Sequence, residues 1–356
     1  MPQNVSRCDT LKPGLTTGLK LDNTSPKADV TLARPKEGTA TMEIDFDISV
    51  EQRFWWRIAL ELRLRQSHGN AFQDFFSVVM GHLHGDDFVR VRPFGKLGDQ
   101  GCDGYLISSG QLFQCYGALN GENKQVAKLI KKMTEDFGTA AAKLAAIMRE
   151  WHMVHNLIDG VPTEAITTLK ALETTNPKIR LGFIGLEGFV DRVFKLTPEQ
   201  IGALLGPAAS QTDAKNLDIA TLRNLVNDLA AAADAAQPET ADLRPVPVDK
   251  LAYNQLPNHW KSLISGGWIN APIVSAYFER HPDPLTGDKV AALFKAKYSY
   301  FKAQHLAPGD IMAALFELVT GIGNVLPQQQ VAAQALLAFL FENCDIFERE
   351  PEQKIS

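Results

Sequence analysis

Between Phe88 and Gly117 the chain reads FVRVRPFGKLGDQGCDGYLISSGQLFQCYG, and this stretch constrains the fold more tightly than any other. Residues 88–92 alternate apolar and basic side chains, the period-2 mark of a half-buried strand, and Pro93 ends the run. Gly95, Gly98 and Gly101 then flex the chain before GYLI and QLFQCY, which Ser-Ser-Gly separates. Two short apolar runs around such a turn predict a β-hairpin. With the turn at Ser108-Ser109, Asp103 falls opposite Gln114. Alternation puts Gln114 and Tyr116 on one face of the second strand, with Phe113 and Cys115 on the other, core-facing one. A carboxylate, an amide and a phenol thereby meet at the open end of a hairpin, accessible to water, with Asp99 on the glycine-flexed loop within reach.

The flanks extend this pattern. EQRFWWRIALELRLRQ places Phe54, Ile58 and Leu62 at helical spacing with charges on the other face. Asn70 is placed to cap a second helix whose stripe is Phe72, Phe75, Phe76, Val79 and Met80. After the hairpin, a helix is expected over about 123–148, a strand over 151–155, a helix over 163–172, a strand over 179–184 and two short helices ending near Leu205. Strands and helices alternating at this interval argue for an α/β domain with partly parallel pairing. Residues 1–45 read as an irregular tail, 50–206 as the α/β domain, and 207–250 as a linker with one helix. Residues 251–350 read as an all-helical domain whose last helix, AAQALLAFLFENCDIF, is apolar enough to be buried.

Composition narrows the classes. A net charge of -5 leaves nucleic-acid binding to a local basic patch. No apolar run is long enough for a membrane span, and Pro2, Asn4, Asp9 and Lys12 stand where a signal peptide needs its apolar core. The four cysteines have no CxxC spacing and read as reduced thiols, so a cytoplasmic location is expected. The absence of GxxxxGK[ST] gives no support to nucleotide hydrolysis by this chain.

The order helix, strand, Asp-bearing hairpin, polar-x-polar strand and helix resembles the PD-(D/E)XK restriction-endonuclease superfamily. That resemblance implies a restriction-endonuclease-like mixed sheet flanked by helices, and metal-assisted phosphodiester hydrolysis with Mg²⁺. By position, Gln73 of FQDF stands for the helix residue, Asp103 for the metal-binding Asp and Gln114 for the residue before x-Lys. Tyr116 occupies the place of the Lys. Because a neutral phenol cannot replace an ammonium beside a developing negative charge, Lys124 or Lys128 of the next helix would have to supply it. Asp103 and Asp99 would then be the strong metal ligands. More closely, FQDFF, RPFGKLGDQGCDGY, FQCYG and the terminal FENCDIFE resemble bacterial proteins of three-component anti-phage or anti-plasmid systems built around an ABC-type or SMC-like ATPase. Such an ATPase and a further system component are the implied partners, with DNA as the implied target.

Two functions from different classes therefore stand: a metal-dependent DNA endonuclease, and a nuclease-fold adaptor that links the ATPase to DNA or to an effector without cutting. Arg90, Arg92 and Lys96, with Lys124, Lys128 and Lys131 on the following helix, form a phosphate-tracking patch in the first and a solvated face in the second. The helical domain would dock the ATPase or mediate homo-oligomerisation. His82, His84, Asp86 and Asp87 are metal-ligand types, but at a helix end they read better as a solvated terminus. His152 and His155 are three apart in a strand and face opposite ways. Trp55, Trp56 and Trp151 default to core packing.

Overall fold

In the computed structural model, which describes residues 48–92, 100–119, 126–239, 250–344 and 346–347, the first helix does more than its sequence stripe foretells. Helix α1 (Val50–Gln66) opens with a capping box, Ser49 accepting from the Gln52 N–H while the Gln52 side chain accepts from the Ser49 N–H. It buries Trp55, Ile58 and Leu62 in one core and Trp56, Leu60 and Leu64 in another. Apolar side chains on two sides leave little amphipathic contrast, and this helix is the shared wall of both halves of the fold.

Helix α2 (Asn70–His84) follows, with Phe72, Phe75, Phe76, Val79 and Met80 buried as their spacing predicts. Asn70 does not cap it. The cap position is Gly69, at φ 52°, and its N–H donates to the Gly117 carbonyl at 3.0 Å. The turn is thus pinned by the end of the hairpin rather than by a side chain.

Five strands form one sheet in the order β1 (Phe88–Arg90), β2 (Gly104–Leu106), β3 (Gln111–Tyr116), β4 (Glu150–His155) and β5 (Arg180–Ile184). The first three are an antiparallel meander; β4 and β5 add in parallel. Parallel neighbours need long crossovers, here helices α3 (Val126–Lys143) and α4 (Thr163–Thr175). Helix α3 stops five residues short of the expected end, and a turn feeds β4 instead. Helix α2 and helix α5 (Leu186–Val193) cover the face carrying Phe113, Cys115, Val154 and Ile184. Helices α3 and α4 cover the other face, burying Leu112, Trp151, Met153 and Leu181. The chain is therefore α/β with a five-stranded mixed sheet buried on both sides.

Helices α6 (Pro198–Leu205), α7 (Gln211–Lys215) and α8 (Ile219–Ala236) lead into the helical half. It continues with α9 (Lys250–Tyr253), α10 (Asn258–Gly267), α11 (Ala271–Glu279), α12 (Thr286–Ala303), α13 (Pro308–Thr320) and α14 (Pro327–Asn343). Helix α14 is its axis, buried from Gln330 to Phe341. Helix α10 crosses it so closely that a Cβ on Gly267 would lie 2.4 Å from the Gln334 carbonyl oxygen. Lys250, itself buried, donates to the Phe341 and Cys344 carbonyls at 2.7 and 2.8 Å, capping the C-terminal end of α14. Phe341, Cys344, Ile346 and Phe347 of the terminal FENCDIFE pack into the same core.

The two halves meet across α1. The Trp56 indole donates to the Gly206 carbonyl at 3.0 Å and Gln66 to Glu317 at 2.7 Å. Glu61 is fully buried, accepting at Oε1 from Arg65 at 2.8 Å and from the Trp260 indole at 3.1 Å. His259 lies beside its Oε2, close enough for an ion pair but off the hydrogen-bond line. Arg65 continues the chain of charges to Asp310. The described residues belong to one compact unit. No helix among the described residues is long and apolar enough to cross a membrane.

Candidate functional site

The hairpin register pairs Gly104 with Phe113 and Leu106 with Gln111, so continued by one residue it sets Asp103 across from Gln114 as the turn position predicts. The Asp103 N–H donates to the Phe113 carbonyl at 2.7 Å, and its carbonyl accepts from the Val91 N–H at 2.9 Å. Here the ladder changes character. The Cys115 N–H donates not to a backbone carbonyl but to Asp103 Oδ2, at 2.7 Å. The other oxygen, Oδ1, accepts from Gln73 Nε2 of α2, also at 2.7 Å. The carboxylate thus completes the sheet edge where the backbone of β2 turns away, and ties that edge to α2.

Two of the residues singled out by the sequence, Gln73 and Asp103, are linked in this way, but not in an open site. Asp103 is 6% exposed, Gln114 1% and Tyr116 8%. The expectation that Asp103 and Gln114 lie accessible to water and cations is corrected: α3 and α4 cover the face that Gln114 and Tyr116 share. Tyr116 packs with Leu112, Leu129 and Met133 in that core. Gln114 Oε1 is buried without a hydrogen-bond partner. An unsatisfied buried acceptor costs about 1–3 kcal/mol, and this one faces the interior rather than solvent.

The neighbouring loop is shaped for packing. Gly101 holds φ 75°, its carbonyl accepts from the Trp151 indole at 3.3 Å, and a Cβ there would sit 2.1 Å from the Asp136 carbonyl oxygen of α3. Cys102 is buried beside it, its thiol on the Gly104 carbonyl at 3.2 Å. Burial pushes the Cys115 thiol well above its ordinary value, which removes it as a thiolate ligand.

The proposed phosphate-tracking residues are differently employed. Arg90 and Arg92 both pair with Asp74, the third residue of the FQDF turn, Arg92 at 3.1 Å. Their charge is partly neutralised by α2, so this turn clamps the meander twice: Gln73 to Asp103, and Asp74 to the two arginines. Lys128 and Lys131 are exposed on the outer side of α3, Lys131 3.9 Å from Glu135, as the burial of Leu129, Met133 and Phe137 requires. Lys96, Asp99 and Lys124 lie outside the described residues.

The other metal-ligand types are scattered. Asp87 accepts from the Ser108 N–H and hydroxyl at 2.8 and 2.7 Å, fastening the hairpin loop, while His82 meets Gln200. His152 stacks on Phe113 and His155 stands edge-on to Phe183, on opposite faces. Burial, for His152 aided by Arg192, lowers both imidazoles to about 4. Glu150 lies 3.1 Å from His152, which would favour the cation, but Arg180 already pairs with that carboxylate and burial prevails. No group of three or more His, Cys, Asp or Glu side chains fit to hold a metal is assembled among the described residues. For Mg²⁺ the described residues offer one carboxylate with both oxygens engaged and one buried amide oxygen, where such an ion takes free oxygen ligands and waters.

The helical half carries the decisive similarity. Residues 220–348 match C-terminal domain 10 of the ABC-three component (ABC-3C) systems. No curated protein and no solved structure matches the chain. ABC-3C systems are multi-component and include an ATPase partner, so the coarse part of the resemblance read from FENCDIFE and its companions holds. The matched stretch begins within α8, includes the whole of α9–α14 and takes in that terminal motif. The ABC-3C match covers none of the sheet.

Proposed function

We propose that this chain is a non-catalytic adaptor of an ABC-3C defence system. Its helical half docks the ATPase or another component, and its sheet half keeps the frame of a nuclease without nuclease chemistry. The observation that carries the reading is the Asp103 carboxylate, held at 2.7 Å by both the Cys115 N–H and Gln73, beneath a covered sheet face. A metal-binding Asp has to present free lone pairs to a cation and its waters. This one completes a β-ladder. The helix, antiparallel meander, helix and parallel strand in succession support a restriction-endonuclease-type ancestry. Tyr116 in the core, where that ancestry would place a Lys, supports loss of the reaction. Pairing of Arg90 and Arg92 with Asp74 weakens the case for DNA engagement by this surface.

The test is plasmid cleavage. Purified chain, alone and reconstituted with its ATPase and third component, is incubated with supercoiled plasmid and Mg²⁺ or Mn²⁺, beside Asp103→Asn. The expected outcome is no nicking that depends on Asp103, together with retention of the ATPase by the wild-type chain. Nicking present in the wild type and absent in Asp103→Asn would reinstate the nuclease and end the adaptor reading.

A further inference from the structure

Helices α8 and α11 present matched faces to one open groove of about 610 Å³. From α8 come Ile219, Arg223 and Asn227, spaced four apart and hence in a row; from α11 come Ile273, Tyr277 and Arg280, likewise one stripe. Their other sides are committed to the core, through Leu222 and Val226 on α8 and Val274 and Phe278 on α11. What the groove shows to solvent is apolar and cationic together. Ile219 is 41% and Ile273 39% exposed, and Ile269, just before α11, is 69% exposed.

Both arginines are exposed, and neither forms an ion pair with a described carboxylate. Among the other described arginines, Arg57, Arg65 and Arg180 pair with carboxylates, while Arg53 and Arg63 lie over aromatic rings. Two exposed guanidinium groups flanked by exposed isoleucines give this groove a face both cationic and apolar in a protein of net charge -5. Tyr277 and Arg223 line the same groove; burial raises the phenol above its ordinary value and the guanidinium opposes that shift.

We propose that the α8/α11 groove binds a partner-protein segment that carries carboxylates beside apolar anchors, Arg223 and Arg280 taking the carboxylates and Ile219, Ile273 and Tyr277 the anchors. The inference rests on the adaptor reading for its biological setting, and on charge complementarity and the exposed apolar rows for its chemistry. The groove falls at the start of the ABC-3C domain, in the half that an assembly partner would engage. An amphipathic helix is the simplest shape for such a segment, because its i, i+3, i+4 anchors suit a trough between two helices. A small phosphate-like anion would use the arginines but leave the isoleucines bare.

The probe is a fluorescent synthetic helix of Leu anchors and Glu, with a matched peptide carrying Lys for Glu, titrated against the full chain. The wild type is expected to bind the acidic peptide about tenfold or more tighter than the basic one, with an affinity that falls as salt rises. Arg223→Glu/Arg280→Glu should invert the preference, an outcome that misfolding cannot produce. Equal binding of the two peptides would overturn the proposal, as would an acidic preference that survives the double variant. Full displacement of the peptide by low-millimolar inorganic phosphate would also overturn it, in favour of a small-anion site. If the double variant instead turns a wild-type dimer into a monomer in light scattering, the occupant is a second copy and the proposal fails. Failure here is separable from failure of the adaptor reading. An ATPase complex that survives the double variant sinks the groove and spares the adaptor. Asp103-dependent plasmid nicking beside an intact acidic preference does the reverse.

Discussion

Replacing Glu61 with Ala should lower the unfolding free energy by roughly 3–5 kcal/mol, the usual cost of removing one member of a buried charge network. The residue is fully buried on α1, and four groups depend on it directly or at one remove: Arg65, the Trp260 indole, His259 and, through Arg65, Asp310. Deletion of the carboxylate leaves the Trp260 indole N–H without its acceptor and Arg65 with Asp310 alone. The seam joins the sheet half to the helical half, so both should lose cooperativity together in urea. A loss below about 1 kcal/mol would show that the network is slack.

The same residue sets a pH limit. Burial opposes the Glu61 charge, but the His259 imidazole and the Arg65 guanidinium outweigh it and hold the carboxyl below its ordinary value of 4.5. A group whose folded value is depressed contributes stability that is present above the unfolded value and lost as pH falls through the folded one. The Glu61 share of stability is therefore complete above pH 4.5 and fades beneath it. Glu61→Gln, which keeps an acceptor for Trp260, should flatten that acid limb.

Gly101→Ala carries the second large expected effect, about 2–5 kcal/mol, from left-handed backbone strain combined with overpacking. At φ 75° an L side chain is strained, and here the added Cβ also meets the Asp136 carbonyl oxygen at 2.1 Å. Relief requires either α3 to back away from the sheet or the loop to lift off Trp151, whose indole holds the Gly101 carbonyl. Gly138→Ala on α3 is the control. A Cβ there meets nothing within 4 Å, so helix propensity alone should stabilise it by up to about 1 kcal/mol. Equal midpoints for the two variants in chemical denaturation would refute the packing role given to Gly101.

The hairpin was legible from sequence because turn position and a two-residue period fix its register with nothing else needed. Asp103 opposite Gln114 and Phe113 opposite in facing to Gln114 both follow from that. Burial of the pair was not legible, since it depends on α3 and α4, later in the chain, folding back over β3. Nor did FVRVR reveal its arginines' true partner: alternation says that they leave the core, while Asp74 sits on a different element. Glu61 was hidden for a related reason. A stripe of Phe54, Ile58 and Leu62 assigns the charges of α1 to solvent, whereas its counterpart Trp260 lies 199 residues on. In the helical half, the nearly apolar AAQALLAFLFENCDIF announced its own burial. The Arg223 and Arg280 groove did not, because its two rows come from separate helices.

The most direct test of the central claim, that Asp103 is a structural carboxylate, is the melting temperature of the purified chain in EDTA and in ~10 mM Mg²⁺ or Mn²⁺. A metal that binds only the folded state must stabilise it by mass action. The account predicts superimposable melting curves in all three solutions. A rise of about 2 °C or more with either cation, abolished in Asp103→Asn, would contradict it.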